Sequence, residues 1–270
     1  MEVTERTVTV WGSRLEMTVQ VAGDGPPLVY LHSAGGMMWD PFLEQLAARY
    51  TIYAPLVPGS VPGKPEAIRQ VADLWDLVLV YEETITALGL RSPPVIGQSF
   101  GGMLACELAA HFPTLFSRLV VFDPIGLWLD EHPVANWVAK APDEMPALLF
   151  HRPESEAARA MFTPPDDLDA AIAAIAGLTW TIGCTSKFVW PVPDKGLAKR
   201  IHRIQAPTLV VWGEQDALVS SAYAAEFGRL IERSRVEIIH DCGHIPQLEQ
   251  REQTLALVGD FLGATRQDGA

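Results

Sequence analysis

The chain has 270 residues, 49% of them hydrophobic, and a formal net charge of −13 at pH 7. That length and apolar share suit one α/β domain with an insertion and a sizeable core. The acidic balance excludes surfaces built to hold nucleic acid or anionic membranes, which need basic patches.

The chain opens with two alternating runs, residues 7–11 and 15–21, around Gly12-Ser13-Arg14, the pattern of an antiparallel hairpin. Leu28-Val29-Tyr30-Leu31 reads as a buried strand, followed by the loop His32-Ser33-Ala34-Gly35-Gly36 and a helix over 40–50. Another strand, residues 51–55, leads to Leu56-Val57-Pro58-Gly59, and residues 68–88 read as a helix. Beyond this point strands and helices alternate, which predicts a mostly parallel sheet covered on both faces.

Pro93-Pro94-Val95-Ile96 is then followed by Gly97-Gln98-Ser99-Phe100-Gly101-Gly102 and by a helix of small residues from Met103. Strand, Gly-x-Ser-x-Gly, helix is the context in which that pattern marks a nucleophilic serine. The sharp turn leaves no room for side chains at the glycines, and the helix N-terminus offers free N–H groups to developing negative charge. A serine hydroxyl is a weak nucleophile, so Ser99 needs a base, and the base needs an orienting carboxylate.

The carboxylate candidates all follow strands. Asp123 ends Leu119-Val120-Val121-Phe122, while Glu214 and Asp216 follow the apolar run 207–212. For the base, residues 235–239 read as the last strand. His244 lies in the loop after it, Pro246 opens the final helix, and His240 stands at the strand end. His32 also sits at a strand end, facing the same region, whereas His111, His132, His151 and His202 lack this context.

From 125 to 203 the pattern becomes helical and is punctuated by Pro133, Pro142, Pro146, Pro153, Pro164 and Pro165. Large apolar residues recur there: Trp128, Trp137, Phe150, Phe162, Trp180, Phe188 and Trp190. Together they suggest an apolar cleft. Its expected walls are Phe188-Val189-Trp190-Pro191 and Trp128, with Met38 and Trp39 beside the loop that carries His32 and Ser33.

Gly-Gln-Ser-Phe-Gly-Gly, Trp-Gly-Glu-Gln-Asp and Cys-Gly-His-Ile-Pro-Gln-Leu-Glu, in this order and each after a strand, resemble the three hallmark motifs of the α/β-hydrolase superfamily. The resemblance spans nearly the whole chain, from about Val8 to Leu262. It implies an α/β-hydrolase fold, with a core of residues 1–124 and 204–270 and a helical cap of 125–203. It also implies nucleophile Ser99, acid Asp216 and base His244, with oxyanion donors at the N–H groups of Phe100 and Ala34. Two departures stand out. His32-Ser33 replaces the usual His-Gly, and the loop Leu56-Val57-Pro58-Gly59 lacks the family's usual acidic residue.

The reaction so implied needs no cofactor and no metal. The leading expectation is hydrolysis of a carboxylic ester or lactone of a small, largely apolar substrate. A hydrolase of carbon–carbon bonds in ring-cleavage diketones shares these motifs but handles acidic substrates and generally uses cap or pocket arginines, of which this cap has Arg152 and Arg159. A ligand receptor on the same scaffold is the alternative of a different class. Cys106, Cys184 and Cys242 lie far apart in no metal spacing, and the first residues lack the character of a signal peptide. No run of about 18 apolar residues appears, so no transmembrane helix is expected. A cytoplasmic protein acting on a small molecule follows, and nothing in the sequence excludes a homo-oligomer.

Overall fold

The computed structural model describes residues 1–190 and 194–263. Eight strands form one sheet: β1 (Val3–Val10), β2 (Leu15–Ala22), β3 (Pro27–Leu31), β4 (Thr51–Pro55), β5 (Val95–Gln98), β6 (Leu119–Phe122), β7 (Thr208–Gly213) and β8 (Ser234–Ile239). Their spatial order is β1-β2-β4-β3-β5-β6-β7-β8. The opening hairpin pairs antiparallel, and β2 also runs antiparallel to β4. From β4 to β8 every neighbouring pair is parallel.

The helices are α1 (Pro41–Ala47), α2 (Leu74–Ala87), α3 (Phe100–His111), α4 (Met145–Leu149), α5 (Glu156–Phe162), α6 (Leu168–Val189), α7 (Ala222–Leu230), α8 (Pro246–Glu249) and α9 (Arg251–Gly263). Side chains alternate across a strand, so both faces of the central strands need apolar cover. Val29, Val121, Val210 and Trp212 pack with α2, α3 and α7 on one face. Leu28, Tyr30, Val120, Leu209 and Val211 pack with α1 and Val258 of α9 on the other. The continuous apolar runs of β3, β6 and β7 follow from this double burial.

Two boundaries differ from the sequence reading. The helix expected over 68–88 is a 3₁₀ turn at Pro65–Gln70 and then α2. Asp73 separates them, because its side chain accepts from the N–H groups of Trp75 (2.9 Å) and Asp76 (3.0 Å) and caps α2 there. The last helix likewise divides into α8 and α9.

The stretch between β6 and β7 is helical, with no strand among the described residues. It meets the loops at the C-terminal ends of the sheet. Thr185 Oγ1 donates to Ala34 O (3.0 Å), Trp180 Nε1 to Gly59 O (2.8 Å), and the His244 N–H to Leu149 O (2.8 Å). Its far end is tied down by Arg200, which donates to the fully buried Glu107 of α3 from Nε (2.9 Å) and Nη2 (2.7 Å) and lies over the Trp75 ring.

Helix α6 corrects one expectation. Its threonines, serine and glycines interrupt any strictly apolar run. Even so, with Asp169 and Lys187 its only charged residues, it is by length and composition long and apolar enough to cross a membrane. Leu168, Ile172, Ile175 and Leu178 along its first half are exposed.

Asp40 caps α1 by accepting from the Leu43 N–H (2.8 Å) while buried, and burial pushes its carboxyl from 3.8 up to about 6. An acid whose value is raised on folding binds its proton more tightly in the folded state. Stability from this group therefore falls as pH rises from about 4 to about 6 and stays low above that. Asp40→Asn keeps an oxygen for Leu43 and removes the charge. It is expected to raise stability by about 1–2 kcal/mol at pH 8 and to change little near pH 4. Urea-unfolding midpoints at the two pH values check this.

Candidate active site

Ser99 stands between β5 and α3 with φ +55°, a left-handed conformation that a residue with a Cβ occupies only under constraint. The constraint is visible around it. Its N–H donates to Phe122 O (2.8 Å), and its carbonyl accepts from Met103 N (3.0 Å) and Ile125 N (3.4 Å). A Cβ at Gly97 would lie 2.4 Å from Gly101 O, and one at Gly101 would lie 2.0 Å from Leu31 O. The elbow thus closes only because both positions are glycine, and that closeness sets the start of α3 against the end of β3.

Four adjacent strands bring their following residues to one edge. Ser99 follows β5, Asp123 follows β6, Asp216 follows β7 and His244 follows β8. The ladder extends past the strand ends through Asp123 N to Val211 O (3.0 Å) and Glu214 N to Ile239 O (2.9 Å). His244 Nδ1 and Asp216 Oδ2 are 2.7 Å apart, both side chains buried. Asp216 Oδ1 accepts from the N–H groups of Leu218 (2.8 Å) and Val219 (2.9 Å). An Nδ1–H donated to Asp216 leaves Nε2 as the acceptor nitrogen of the His244 ring. That nitrogen is buried and has no hydrogen-bond partner among the described residues. Gln98, next to Ser99, donates from Nε2 to His244 O (3.2 Å), so the serine and histidine loops are held together directly.

Of the rival acids, Asp123 lies beside the Asp216–His244 pair, whereas Glu214 and the rival base His240 are elsewhere. Glu214 and His240 pair with each other at 3.0 Å on the surface, where the carboxylate raises the imidazole's value. His32 is buried. Its Nδ1 bonds Ser33 O (2.8 Å) and its Nε2 accepts from Val57 N (3.3 Å), so the ring pins the loop after β3 to the loop after β4. Burial lowers its value and keeps it neutral. All three cysteines are buried, and burial pushes the Cys106 and Cys242 thiols up, away from nucleophilic use.

The Phe100 and Ala34 N–H groups have no protein acceptor among the described residues. Phe100 opens α3, where N–H groups lack intrahelical partners. Ser33 carries an isolated bridge with Gly36, which curls the loop.

The expected pocket residues are dispersed. Met38 and Trp39 line a cleft of about 820 Å³ together with Met161, Leu248 and Arg251, and Trp39 Nε1 donates to Gln20 Oε1 (2.9 Å). Neither Ser99 nor His244 lines that cleft. Phe188 is buried in the main core, Trp190 is half exposed, and Pro191 lies outside the described residues. Trp128 is partly buried, its Nε1 donating to Asp130 Oδ1 (2.9 Å).

Closer to the base, Phe150 packs with Ile245, Ala158 and Leu149. Glu249 accepts from the N–H groups of Gly243 (2.5 Å), His151 (3.2 Å) and Arg152 (3.3 Å), clamping the helical stretch to the histidine loop. Glu249 closes the third sequence motif, but its role depends on a contact across 98 residues that spacing cannot reveal.

Comparison with known proteins agrees with the fold. Residues 28–257 match the Alpha/beta hydrolase family. A 2-hydroxy-6-oxo-2,4-heptadienoate hydrolase of Pseudomonas putida is 24% identical over 93% of this chain and 94% of its own. A monoacylglycerol lipase of Mus musculus is 22% identical over 90% of this chain and 77% of its own. Among solved structures, naproxen esterase from Bacillus subtilis superposes with a TM-score of 0.75 at 17% identity, covering 97% of this chain and 92% of that one. The extent of the family match, with the parallel sheet and the serine elbow, makes this chain a member of the alpha/beta hydrolase family.

Proposed function

We propose that the protein is a serine hydrolase that cleaves a carboxylic ester or lactone of a small, largely apolar substrate without a cofactor. One observation carries the reading. His244 Nδ1 is held by a buried carboxylate at 2.7 Å while its Nε2 stays unengaged, at the edge of the sheet where the strained Ser99 elbow stands. Ser99 Oγ attacks the substrate carbonyl as His244 Nε2 takes its proton. The Phe100 and Ala34 N–H groups receive the oxyanion. His244 then protonates the leaving alcohol, and a water activated by the same nitrogen releases the acid from Ser99.

The similarity to a Pseudomonas putida hydrolase named for a dienoate substrate favours carbon–carbon bond hydrolysis as the second reading. That substrate class is acidic. Arg152 and Arg159 both have exposed side chains, with Asp241 (3.8 Å) and Glu154 (3.9 Å) as their nearest carboxylates. Both guanidinium groups face solvent beside surface carboxylates, which supports the neutral ester.

Treatment with a fluorophosphonate followed by intact-mass analysis is expected to show one adduct on the native chain and none on Ser99→Ala. A panel of acyl esters beside a 2-hydroxy-6-oxo-dienoate is expected to show turnover of esters. Preferential cleavage of the dienoate would move the assignment to the second reading, and no adduct on the folded chain would overturn the serine mechanism.

A further inference from the structure

A second carboxyl lies directly under the Asp216–His244 pair. Asp123 is fully buried, and its backbone is held at φ +44°, so that its side chain turns beneath the ends of β6 and β7. Its Oδ1 accepts from Gly213 N at 2.9 Å, and no donor among the described residues reaches its Oδ2. One carboxylate oxygen each of Asp123 and Asp216 and one ring nitrogen of His244 all lie within 4.8 Å of one another.

Two buried carboxyls within 4.8 Å of each other cannot both carry charge cheaply, so one of them keeps a proton. The hydrogen bonds decide which. Asp216 receives three donors: Leu218 N, Val219 N and His244 Nδ1. Asp123 receives one, from Gly213. We infer that Asp123 is a neutral carboxylic acid whose Oδ2–H donates to the Asp216 carboxylate, making it a positioning residue that fixes the orienting acid and shares its charge.

The surroundings agree. Burial first, and then the Asp216 charge, raise the Asp123 carboxyl well above the ordinary carboxylate range, with Glu249 adding to the effect. The Cys242 thiol on the His244 loop is pushed up by burial and by Asp123, Glu249 and Asp216, so it brings no further charge. The titratable groups facing Asp123 are therefore Asp216, His244, Cys242 and Glu249. The strained φ fits the same role, because aspartate and asparagine tolerate the left-handed region better than most residues.

The kinetic consequence has a sign. A neutral donor drains charge from Asp216 and weakens its hold on the His244 imidazolium. Removing that donor leaves Asp216 more strongly charged, so the acidic limb of the rate profile moves to higher pH. Were Asp123 ionised, removing it would delete a negative charge near the imidazolium, and the limb would move to lower pH.

Three samples test this: the native chain, Asp123→Asn and Asp123→Ala. Asparagine keeps an oxygen for Gly213 and an N–H for Asp216. Its kcat/KM for an ester is expected within about fivefold of native, with the acidic limb unmoved. Alanine is expected to move the limb up by about half a pH unit or more. Should the alanine variant not fold, asparagine alone decides, because an ionised Asp123 predicts a downward shift for it.

Infrared spectra provide an arm that needs no activity. At pH 8 the native chain is expected to show an un-ionised carboxyl stretch that Asp123→Asn lacks. Superimposable spectra, a downward limb shift in either variant, or a stoichiometric divalent cation in the purified protein would overturn the inference. The kinetic arm rests on the serine-hydrolase reading and the infrared arm does not. A chain with no fluorophosphonate adduct but with the carboxyl band would fail the first proposal and keep the second.

Discussion

Asp216→Ala is expected to lower kcat/KM for an ester by about 10⁴-fold, because the carboxylate sets which histidine nitrogen carries the proton. His244 Nδ1 faces Asp216 Oδ2 at 2.7 Å, which leaves Nε2 free for the proposed role of base. Without that partner the imidazole can rotate or take the other tautomer. The same substitution removes the acceptor for the buried N–H groups of Leu218 and Val219, so a stability loss of about 2–3 kcal/mol should accompany it.

Asp216→Asn separates the two effects. An amide oxygen in place of Oδ1 still accepts from Leu218 and Val219, but its NH₂ then faces Nδ1 and holds the wrong tautomer. The asparagine variant should therefore recover most of the urea midpoint and little of the rate. An asparagine variant within tenfold of native in kcat/KM would transfer the orienting role to Asp123.

Gly101→Ala is expected to cost about 3 kcal/mol or more and to lower kcat by about 100-fold in whatever fraction folds. A methyl at this position would lie 2.0 Å from Leu31 O, 2.4 Å from Leu31 C and 2.6 Å from His32 O. All three are backbone atoms of β3 or its loop, so no side chain can swing aside. Relief requires α3 to move away from the loop that bears Ala34, which spreads the two N–H groups proposed to bind the oxyanion. Gly177→Ala in α6 is the control. Nothing lies within 4 Å of its added methyl, and there helix propensity should stabilise by about 0.5–1 kcal/mol. Urea unfolding compares the two directly, and equal midpoints for both variants would contradict the packing argument.

Much of the architecture was legible because local signals and burial pointed the same way. The run Leu119-Val120-Val121-Phe122 is apolar at every position because one half of it faces α3 and the other half faces α1. The elbow was legible because glycine on both sides of Ser99 is a steric demand of a single turn. The helix expected over 68–88 broke at Asp73 because a side-chain cap competes with continuing the helix, an outcome that apolar spacing does not report.

Sequence by itself determined the class of fold, the order of its elements and the three motifs from which Ser99, Asp216 and His244 were chosen. These rest on interactions within a few residues: strand periodicity, turn sterics and residue chemistry. The motif resemblance pointed to Asp216, but residue chemistry left three carboxylates open, and tertiary structure supplied the contact with the imidazole. Glu214, Asp216 and Asp123 all follow apolar strands, but only packing turned Glu214 out to His240, brought Asp216 to His244 and buried Asp123 beneath them. It also decided that Phe188 is core, that Met38 and Trp39 line a cleft that Ser99 does not line, and that Glu249 clamps the helical stretch to the histidine loop. Each of these is a contact between segments far apart in the chain, fixed by how helices close over a sheet rather than by any property of the residue's own neighbours in sequence.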